Sequence, residues 1–419
     1  MVPRIRLDNQ GFLVQNREGR LTRIDLDGEE VKSIEQMPDQ DKASCIRHHR
    51  MLADQIEPSH EPGARIDIAV DWSAACLTRP LRIYYNIEPA CDLACPFCGP
   101  RKLGRQDCAG EKFEEFILRE IAESGIFQVQ LTGGEVFLRG EKLFATLATC
   151  RSLGLAVLLA TNGLWSNIDD KPAFVKRLAR FDNIVEFKVS IDGDRECHDR
   201  ARGRAGSYAA AVETARIASE CGLPTRINAT ILRDSCGERH IEHLAGLAKQ
   251  IGASLQTVPE RACGRSLGKQ PAGLPSAENL LRYTARASRL RMEYAIPISF
   301  NFDILGGGGQ LPVYDRNSPF SCGAGLWGLT VTHTGEVYPC GFAIEAGEGA
   351  PFLSGAVRQP GDLSRIWLNS PALRDWRQAE KSDKCRSCPH YRRTCWGGCK
   401  VHAFMMNGSL SACDPYCFA

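Results

Sequence analysis

The chain has 419 residues, 43% of them hydrophobic, and its 52 Lys and Arg against 50 Asp and Glu give a formal net charge of +2. That length accommodates two or three domains, one of them the size of an α/β barrel, while the near-neutral balance argues against a large nucleic-acid-binding surface. The charged start MVPRIRLDNQ lacks the apolar stretch of a secretion signal, and the longest strongly apolar run, LGLAVLLA, is too short to cross a bilayer, so the expectation is a cytoplasmic protein with neither nucleic acid nor membrane as partner.

At the N-terminus, GFLVQNREGRLTRIDLDGEEVKSIEQM reads as a hairpin closed at Arg17-Glu18-Gly19 and followed by a short helix. Residues 35 to 65, rich in charge and His with Pro58 and Pro62, read as helix and linker. From 81 to about 260 the pattern alternates. The candidate strands are LRIYYNIE, FQVQLT, LAVLLAT, IVEFKVS, TRINATIL and ASLQTVP; between them EKFEEFILREIAESG, GEKLFATLATCRSLG, KPAFVKRLARF, SYAAAVETARIASECG and IEHLAGLAKQIG carry apolar residues at helical spacing. Six consecutive βα units predict a parallel sheet with helices packed outside it, and such folds bind ligands at the C-terminal ends of the strands. Beyond them SAENLLRYTARASRLRMEY is an amphipathic helix. FDILGGGGQLP is a loop; its glycines could cradle phosphate only with a lysine and a helix to follow, and neither does.

Nineteen cysteines would suggest disulfides in a secreted chain, but nothing points to export. Eight are scattered (Cys45, Cys76, Cys108, Cys150, Cys197, Cys221, Cys236, Cys263) and are expected as buried small apolar residues, with Cys263 singled out below. The other eleven are grouped, which favours metal ligation. Cys91, Cys95 and Cys98, in IEPACDLACPFCGP, directly follow the first barrel strand at x3 and x2 spacing. Such a loop can offer three thiolates to one [4Fe–4S] cluster and leave the fourth iron without a protein ligand; the plainer alternative is a zinc site or a structural cluster.

CxxxCxxC with an aromatic, Phe97, before its last cysteine resembles the radical S-adenosylmethionine (SAM) superfamily. The resemblance implies that the open iron chelates the amino and carboxylate groups of SAM. One electron from the reduced cluster then cleaves a carbon–sulfur bond, giving methionine and a 5′-deoxyadenosyl radical that abstracts hydrogen from substrate. LTGGE, with Gly133, Gly134 and Glu135, matches the segment contacting the SAM amino group. ATNG and KVSIDG bring Asn162, Ser190 and Asp192 to the same rim, where they can meet ribose hydroxyls, although Asp192 also fits a turn residue before Gly193 and His198 a local hydrogen bonder. SIDGDRECHDRARGRAGSY resembles a segment whose arginine holds the SAM carboxylate; Arg202 fits that role, with Arg200 and Arg204 as competitors.

From residue 322 the cysteines read Cys322, Gly335-x4-Cys340, Cys385-x2-Cys388-x6-Cys395-x3-Cys399, then Cys413 and Cys417. Taken alone these suit a zinc ribbon. With GLTVTHTGEVYPCGF and CWGGCKVHAFMMNGSLSACDPYC they are similar to the SPASM extension, which binds two auxiliary [4Fe–4S] clusters besides the catalytic one. The resemblance assigns Cys322, Cys340 and Cys399 to the first auxiliary cluster. It assigns Cys385, Cys388 and Cys395 to the second, completed by Cys417 in DPYC or its rival Cys413. Two departures stand out: x6 rather than x5 before Cys395, and no cysteine in RNSPFS before Cys322. The first auxiliary cluster would then keep an open iron or recruit a distant ligand such as Cys263.

The implied fold is α/β: a partial (β/α)6 radical SAM barrel (79–262), a bridging region (263–320), a SPASM domain (321–419) and a small N-terminal α+β region (1–78). That last region resembles the winged-helix-like domain which captures a leader peptide by strand addition; a structural cap over the barrel is the alternative. The implied activity is a radical SAM oxidoreductase modifying a ribosomally made precursor peptide, by crosslink, thioether or oxidative change, with flavodoxin or ferredoxin as reductant. Action on a small molecule or cofactor precursor, or a non-catalytic iron–sulfur or zinc protein, are the alternatives. Gly341 replaces the aspartate base that follows the matching cysteine in formylglycine-forming relatives, and Asp303, Tyr314 and Asp315 are candidates for a base.

Overall fold

The computed structural model describes residues 79–98, 110–266, 268, 273–300, 323–344, 346, 350–389, 391 and 397–417, and the backbone of three N-terminal strands. Asp303, Tyr314, Asp315, Cys322, Cys395, the tetraglycine loop and the helix and linker expected before residue 79 lie outside the described residues.

β1 (Arg4–Asp8), β2 (Gly11–Gln15) and β3 (Leu21–Asp25) form an antiparallel sheet in the order β1-β2-β3, the expected hairpin being β2 with β3. The barrel follows as β4 (Arg82–Glu88), α1 (Glu111–Glu123), β5 (Gln128–Gly133), α2 (Lys142–Ser152), β6 (Ala156–Thr161), α3 (Lys171–Leu178) and β7 (Ile184–Ser190). It continues through α4 (Arg195–Arg202), α5 (Ser207–Glu220), β8 (Thr225–Ile231), α6 (Glu238–Ile251), β9 (Ser254–Pro259), α7 (Ala277–Tyr294) and β10 (Ile298–Phe300). β4 to β9 coincide with the six expected strands, each a short β-rich run between helical stretches.

Ile83, Tyr85, Val129, Leu131, Val157, Leu159, Phe187, Val189, Ile227 and Ala229 share one apolar core with Ile117, Leu118, Leu147, Ala211, Ala215, Ile241 and Leu244 from the helices. The residues between them line the opposite face and, Leu158 of β6 excepted, carry polar groups. There Lys188 Nζ meets Glu186 Oε1 at 2.9 Å and Gln130 Oε1 at 3.2 Å, Arg226 Nη1 meets Glu186 Oε2 at 2.9 Å, and Arg82 donates to Gln128 Oε1.

β11 (Gly328–Thr332) lies parallel to β4, Gly328 opposite Arg82 and Thr332 opposite Asn86, and β12 (Glu336–Tyr338) and β13 (Gly355–Ala356) continue antiparallel. The sheet order is β10-β9-β8-β7-β6-β5-β4-β11-β12-β13, so the six expected parallel strands are extended at both ends by chain from beyond residue 295. The C-terminal region adds α8 (Gly341–Ile344), α9 (Asp362–Asn369), α10 (Pro371–Gln378), α11 (Asp383–Arg386) and α12 (Lys400–Asn407). It docks on α1 through Glu120, 3% exposed, whose carboxylate accepts from the Gly361 and Leu363 amides at 3.0 Å each, at the start of α9. No helix among the described residues is long and apolar enough to cross a membrane.

Candidate active site

The three-cysteine loop leaves the end of β4 and is held by the ends of several other strands. Gly133 and Gly134 close β5 against it: the Gly134 amide donates to Glu88 O at 2.6 Å and the Glu135 amide to Ala90 O at 2.7 Å. A Cβ on Gly133 would lie 2.1 Å from Glu88 O, and one on Gly134 would lie 2.0 Å from Ala90 O, so only glycine permits this docking. Past β6, Asn162 donates through Nδ2 to Asp92 Oδ1 at 2.7 Å, with Cys91 Sγ at 3.8 Å. The loop turns back on itself where the Cys98 amide donates to Cys95 O at 3.2 Å. Arg265, beyond β9, clamps that turn from the other side, its amide donating to Cys98 O at 3.1 Å and its Nη1 to Cys95 O at 3.2 Å.

Of Arg200, Arg202 and Arg204, Arg202 is the one brought to this loop. It is 9% exposed, its Nη1 is 3.9 Å from Cys95 Sγ and its guanidinium carbon 5.2 Å from the Phe97 ring centroid. Arg200 and Arg204 are exposed. Burial works against the Arg202 charge, but the Asp192 carboxylate and the nearby thiols outweigh it and hold the guanidinium pKa above its ordinary value. Asp192 receives Arg202 Nε at 2.6 Å on one oxygen and the Thr230 amide at 2.8 Å on the other, so it orients the arginine and ties β7 to β8. Ser190 ends β7 opposite Asn228. The ring of His198 accepts the Asp192 amide at Nδ1, 3.1 Å away, in agreement with the local role offered for it.

Glu135 is buried beside the loop; burial pushes the Cys91 thiol pKa up, and the nearby Glu135 charge adds to that rise. Its carboxylate, 1% exposed, accepts the Phe137 amide at 3.1 Å, Thr161 Oγ1 at 2.8 Å and the Asn162 amide at 2.7 Å. Burial pushes its pKa up to about 7, against the pull of those hydrogen bonds. The side chain thus ties β5 to the end of β6, while the Gly134 and Glu135 amides bind the cysteine loop through backbone.

In the C-terminal region Cys385 and Cys413 have their sulfurs 3.3 Å apart, with Ser382 Oγ 3.1 Å from Cys413 Sγ. Cys417 lies a turn further on, its amide donating to Asp414 O at 2.9 Å. Asp414 accepts the Cys399 amide at 2.5 Å and the Tyr416 amide at 3.0 Å, and pairs with His402 Nδ1 at 3.0 Å. Lys381, buried beneath these segments, donates to Leu410 O and Ala412 O at 2.9 Å each. Cys399 and Cys340 meet one apolar cluster with Phe352 and Trp376. Asp414, Lys381 and Arg265 carry no cysteine-like signal in the sequence; of the three, Asp414 was within reach, through the DPYC that encloses it.

The segment 260–266 touches both cysteine-rich regions. Besides the Arg265 clamp, Arg261 lies over the Phe342 ring at 5.4 Å and Tyr416 donates its hydroxyl to Glu260 O. Cys263, singled out from the sequence, is buried within this segment.

Grouped thiols beside a buried guanidinium suit a thiolate-ligated iron cluster and the carboxylate of SAM. Residues 85–247 match the radical SAM superfamily, and residues 322–389 match SPASM, an iron–sulfur cluster-binding domain. The chain is 29% identical over 352 residues to mycofactocin maturase MftC of Mycobacterium ulcerans (strain Agy99), covering 81% of this chain and 88% of that protein. It is 28% identical over 346 residues to PqqA peptide cyclase of Gluconobacter oxydans (strain 621H), covering 81% and 90%. In fold it is similar to Streptococcus suis SuiB bound to precursor peptide SuiA, with a TM-score of 0.69 at 18% identity over 98% of this chain and 97% of that one. The structure of anSMEcpe with bound AdoMet and Cp18Cys peptide matches with a TM-score of 0.62 at 16% identity, over 80% and 93%.

Proposed function

The chain belongs to the radical SAM superfamily and carries a SPASM domain, and from that premise we propose that this enzyme uses SAM and iron–sulfur clusters to modify a ribosomally made precursor peptide. The observation that carries this reading is the convergence on one loop of three thiols of Asn162, just past β6, and Arg202, at the end of α4. The peptide substrate is supported by relatives that are a peptide maturase and a peptide cyclase. A [4Fe–4S] cluster held by Cys91, Cys95 and Cys98 would, with bound SAM, supply the reducing electron and the 5′-deoxyadenosyl radical chemistry that takes hydrogen from the substrate.

Cys91, Cys95 and Cys98 hold the catalytic cluster. Arg202, held by Asp192, binds the SAM carboxylate; the backbone around Gly133 and Gly134 faces the amino group, and Asn162 and Ser190 offer polar groups to the ribose. Glu135 contacts the SAM amino group alongside Gly133 and Gly134, and its carboxylate also fixes the end of β6. Two auxiliary clusters complete the set. The first takes Cys322, Cys340 and Cys399, its fourth position left open or filled by Cys263; the second takes Cys385, Cys388, Cys395 and Cys413, since Cys413 is the tail cysteine in contact with Cys385. The barrel at 79–262, the bridge at 263–320 and the cluster domain at 321–419 divide this work. The N-terminal sheet receives the leader peptide by strand addition, and flavodoxin or ferredoxin delivers the electron.

The test is anaerobic incubation of the reconstituted, reduced enzyme with SAM and a peptide encoded by a short neighbouring reading frame. A peptide mass change with 5′-deoxyadenosine is expected; 5′-deoxyadenosine with every such peptide unaltered would redirect the search to small molecules. Changing Cys91, Cys95 and Cys98 together to Ala should abolish 5′-deoxyadenosine while auxiliary iron remains. Native-rate formation in that variant would sink the assignment of the catalytic cluster.

A further inference from the structure

Outside the cysteine groups assigned to clusters, Asp194, Cys197 and His240 meet where the first turn of α4 faces the first turn of α6, with one ligand atom of each within 4.8 Å of the others. Cys197 Sγ is 3.1 Å from His240 Nε2, and Arg200 Nη2 approaches the same sulfur at 3.5 Å. Asp194 caps α4, one oxygen accepting the Cys197 amide at 3.0 Å, which leaves its second oxygen outside the cap. Gly193 makes the approach of the two helices feasible: at φ 149° its missing Cβ would lie 3.1 Å from Cys197 Cβ and 3.6 Å from His240 Cδ2. His243, one turn along α6, is engaged by the Tyr208 hydroxyl at 2.9 Å. The meeting point therefore offers one sulfur, one imidazole nitrogen and one carboxylate oxygen.

We infer that Asp194, Cys197 and His240 form a binding site for a divalent transition ion of borderline softness, zinc above all, unrelated to the iron–sulfur clusters. Thiolate, imidazole and carboxylate are all zinc ligands, and three of them leave a fourth tetrahedral corner for water. Thiolate and carboxylate together balance the two charges of the ion. A thiol and an imidazole do not suit calcium or magnesium, and a single cysteine does not suit an iron–sulfur cluster. On binding, the Cys197 S–H proton leaves to solvent as the sulfur–metal bond forms. The ion would lock α4 to α6. Arg202 lies five residues further along α4, about 7.5 Å in axial rise, so the lock would fix the helix that presents the guanidinium to Cys95. The site is thus a positioning device for Arg202, separate from the chemistry.

The test uses the holoenzyme with its clusters assembled, dialysed against micromolar zinc and analysed for zinc and iron. Wild type should retain zinc in a one-to-one ratio with the chain. Cys197→Ser, His240→Gln and Asp194→Asn, the last keeping an N-cap oxygen, should weaken zinc binding by more than the roughly 10- to 100-fold that loss of an outer-shell partner costs, with iron unchanged. Cys221→Ser, altering a cysteine elsewhere, should retain its zinc. Hydrogen exchange in α4 should slow on zinc addition in wild type and stay unaltered in Cys197→Ser. A wild type that takes up no zinc overturns the inference whatever the variants do, and so does equal zinc in wild type and the three site variants, which would place the ion elsewhere and leave Cys197 and His240 as a plain hydrogen-bonded pair.

Discussion

Glu186 stands between two cations on the polar face of the sheet, the Lys188 ammonium and the Arg226 guanidinium each 2.9 Å from one of its oxygens. Burial alone would raise its pKa, but Lys188, Arg226 and Arg82 prevail and hold the carboxyl well below the usual range. Removing a buried ion's partner is strongly destabilising, so Glu186→Gln should lower unfolding free energy by roughly 3–5 kcal/mol in chemical denaturation at neutral pH. The sign with pH follows from the direction of the shift. The folded protein binds the Glu186 proton less tightly than the unfolded chain, so the stabilisation is complete above the ordinary glutamate value of about 4.3 and declines as pH falls toward the folded value. The advantage of wild type over Glu186→Gln should shrink in step over that acid range, and an advantage independent of pH would contradict the ion-pair account. At this scale the sequence was partly legible. Arg202 stood out from its competitors by segment, and helical phase explains why it alone is inside: His198 and Arg202, four apart, share the buried face of α4, whereas Arg200, two away, points elsewhere. The hydrogen bonds that hold the Glu135 carboxylate were not legible, because its donors belong to Phe137, Thr161 and Asn162, and LTGGE carries no record of where those end up.

Elements repeat the contrast between local and distant information. β4 to β9 declared themselves because a short β-rich run between helical stretches is a local property of the chain. β11 did not, because its parallel pairing with β4 joins residues far apart in the chain, which GLTVT itself does not record. The tail behaves likewise. DPYC pointed to Cys417, but Asp414 gathers the Cys399 amide, the Tyr416 amide and His402, and the segment so held presents Cys413 to Cys385. Cys413→Ser should therefore lose the iron of one auxiliary cluster, by elemental analysis and low-temperature spectroscopy, while Cys417→Ser keeps it. The reverse outcome would return the ligand to the position that the motif favoured.

The whole molecule is joined by buried polar contacts as well as by its core. Glu120 on α1 receives two amides at the start of α9, a carboxylate at the positive end of a helix. Glu120→Ala should leave those amides unsatisfied at a cost of about 1–3 kcal/mol, seen as faster hydrogen exchange in α9, and Glu120→Gln should recover part of it. Protection in α9 equal to wild type would mean that docking rests on β11 instead. The pairing of β11 with β4 bears on how the enzyme can be dissected. A chain ended before β11 would leave β4 as a raw sheet edge of unpaired amides and carbonyls, a template for intermolecular association. The cysteine-rich C-terminal region therefore cannot be excised as a module to learn what it does: deletion would injure the barrel first, and only single cysteine replacements in the intact chain separate loss of an iron–sulfur site from loss of the fold.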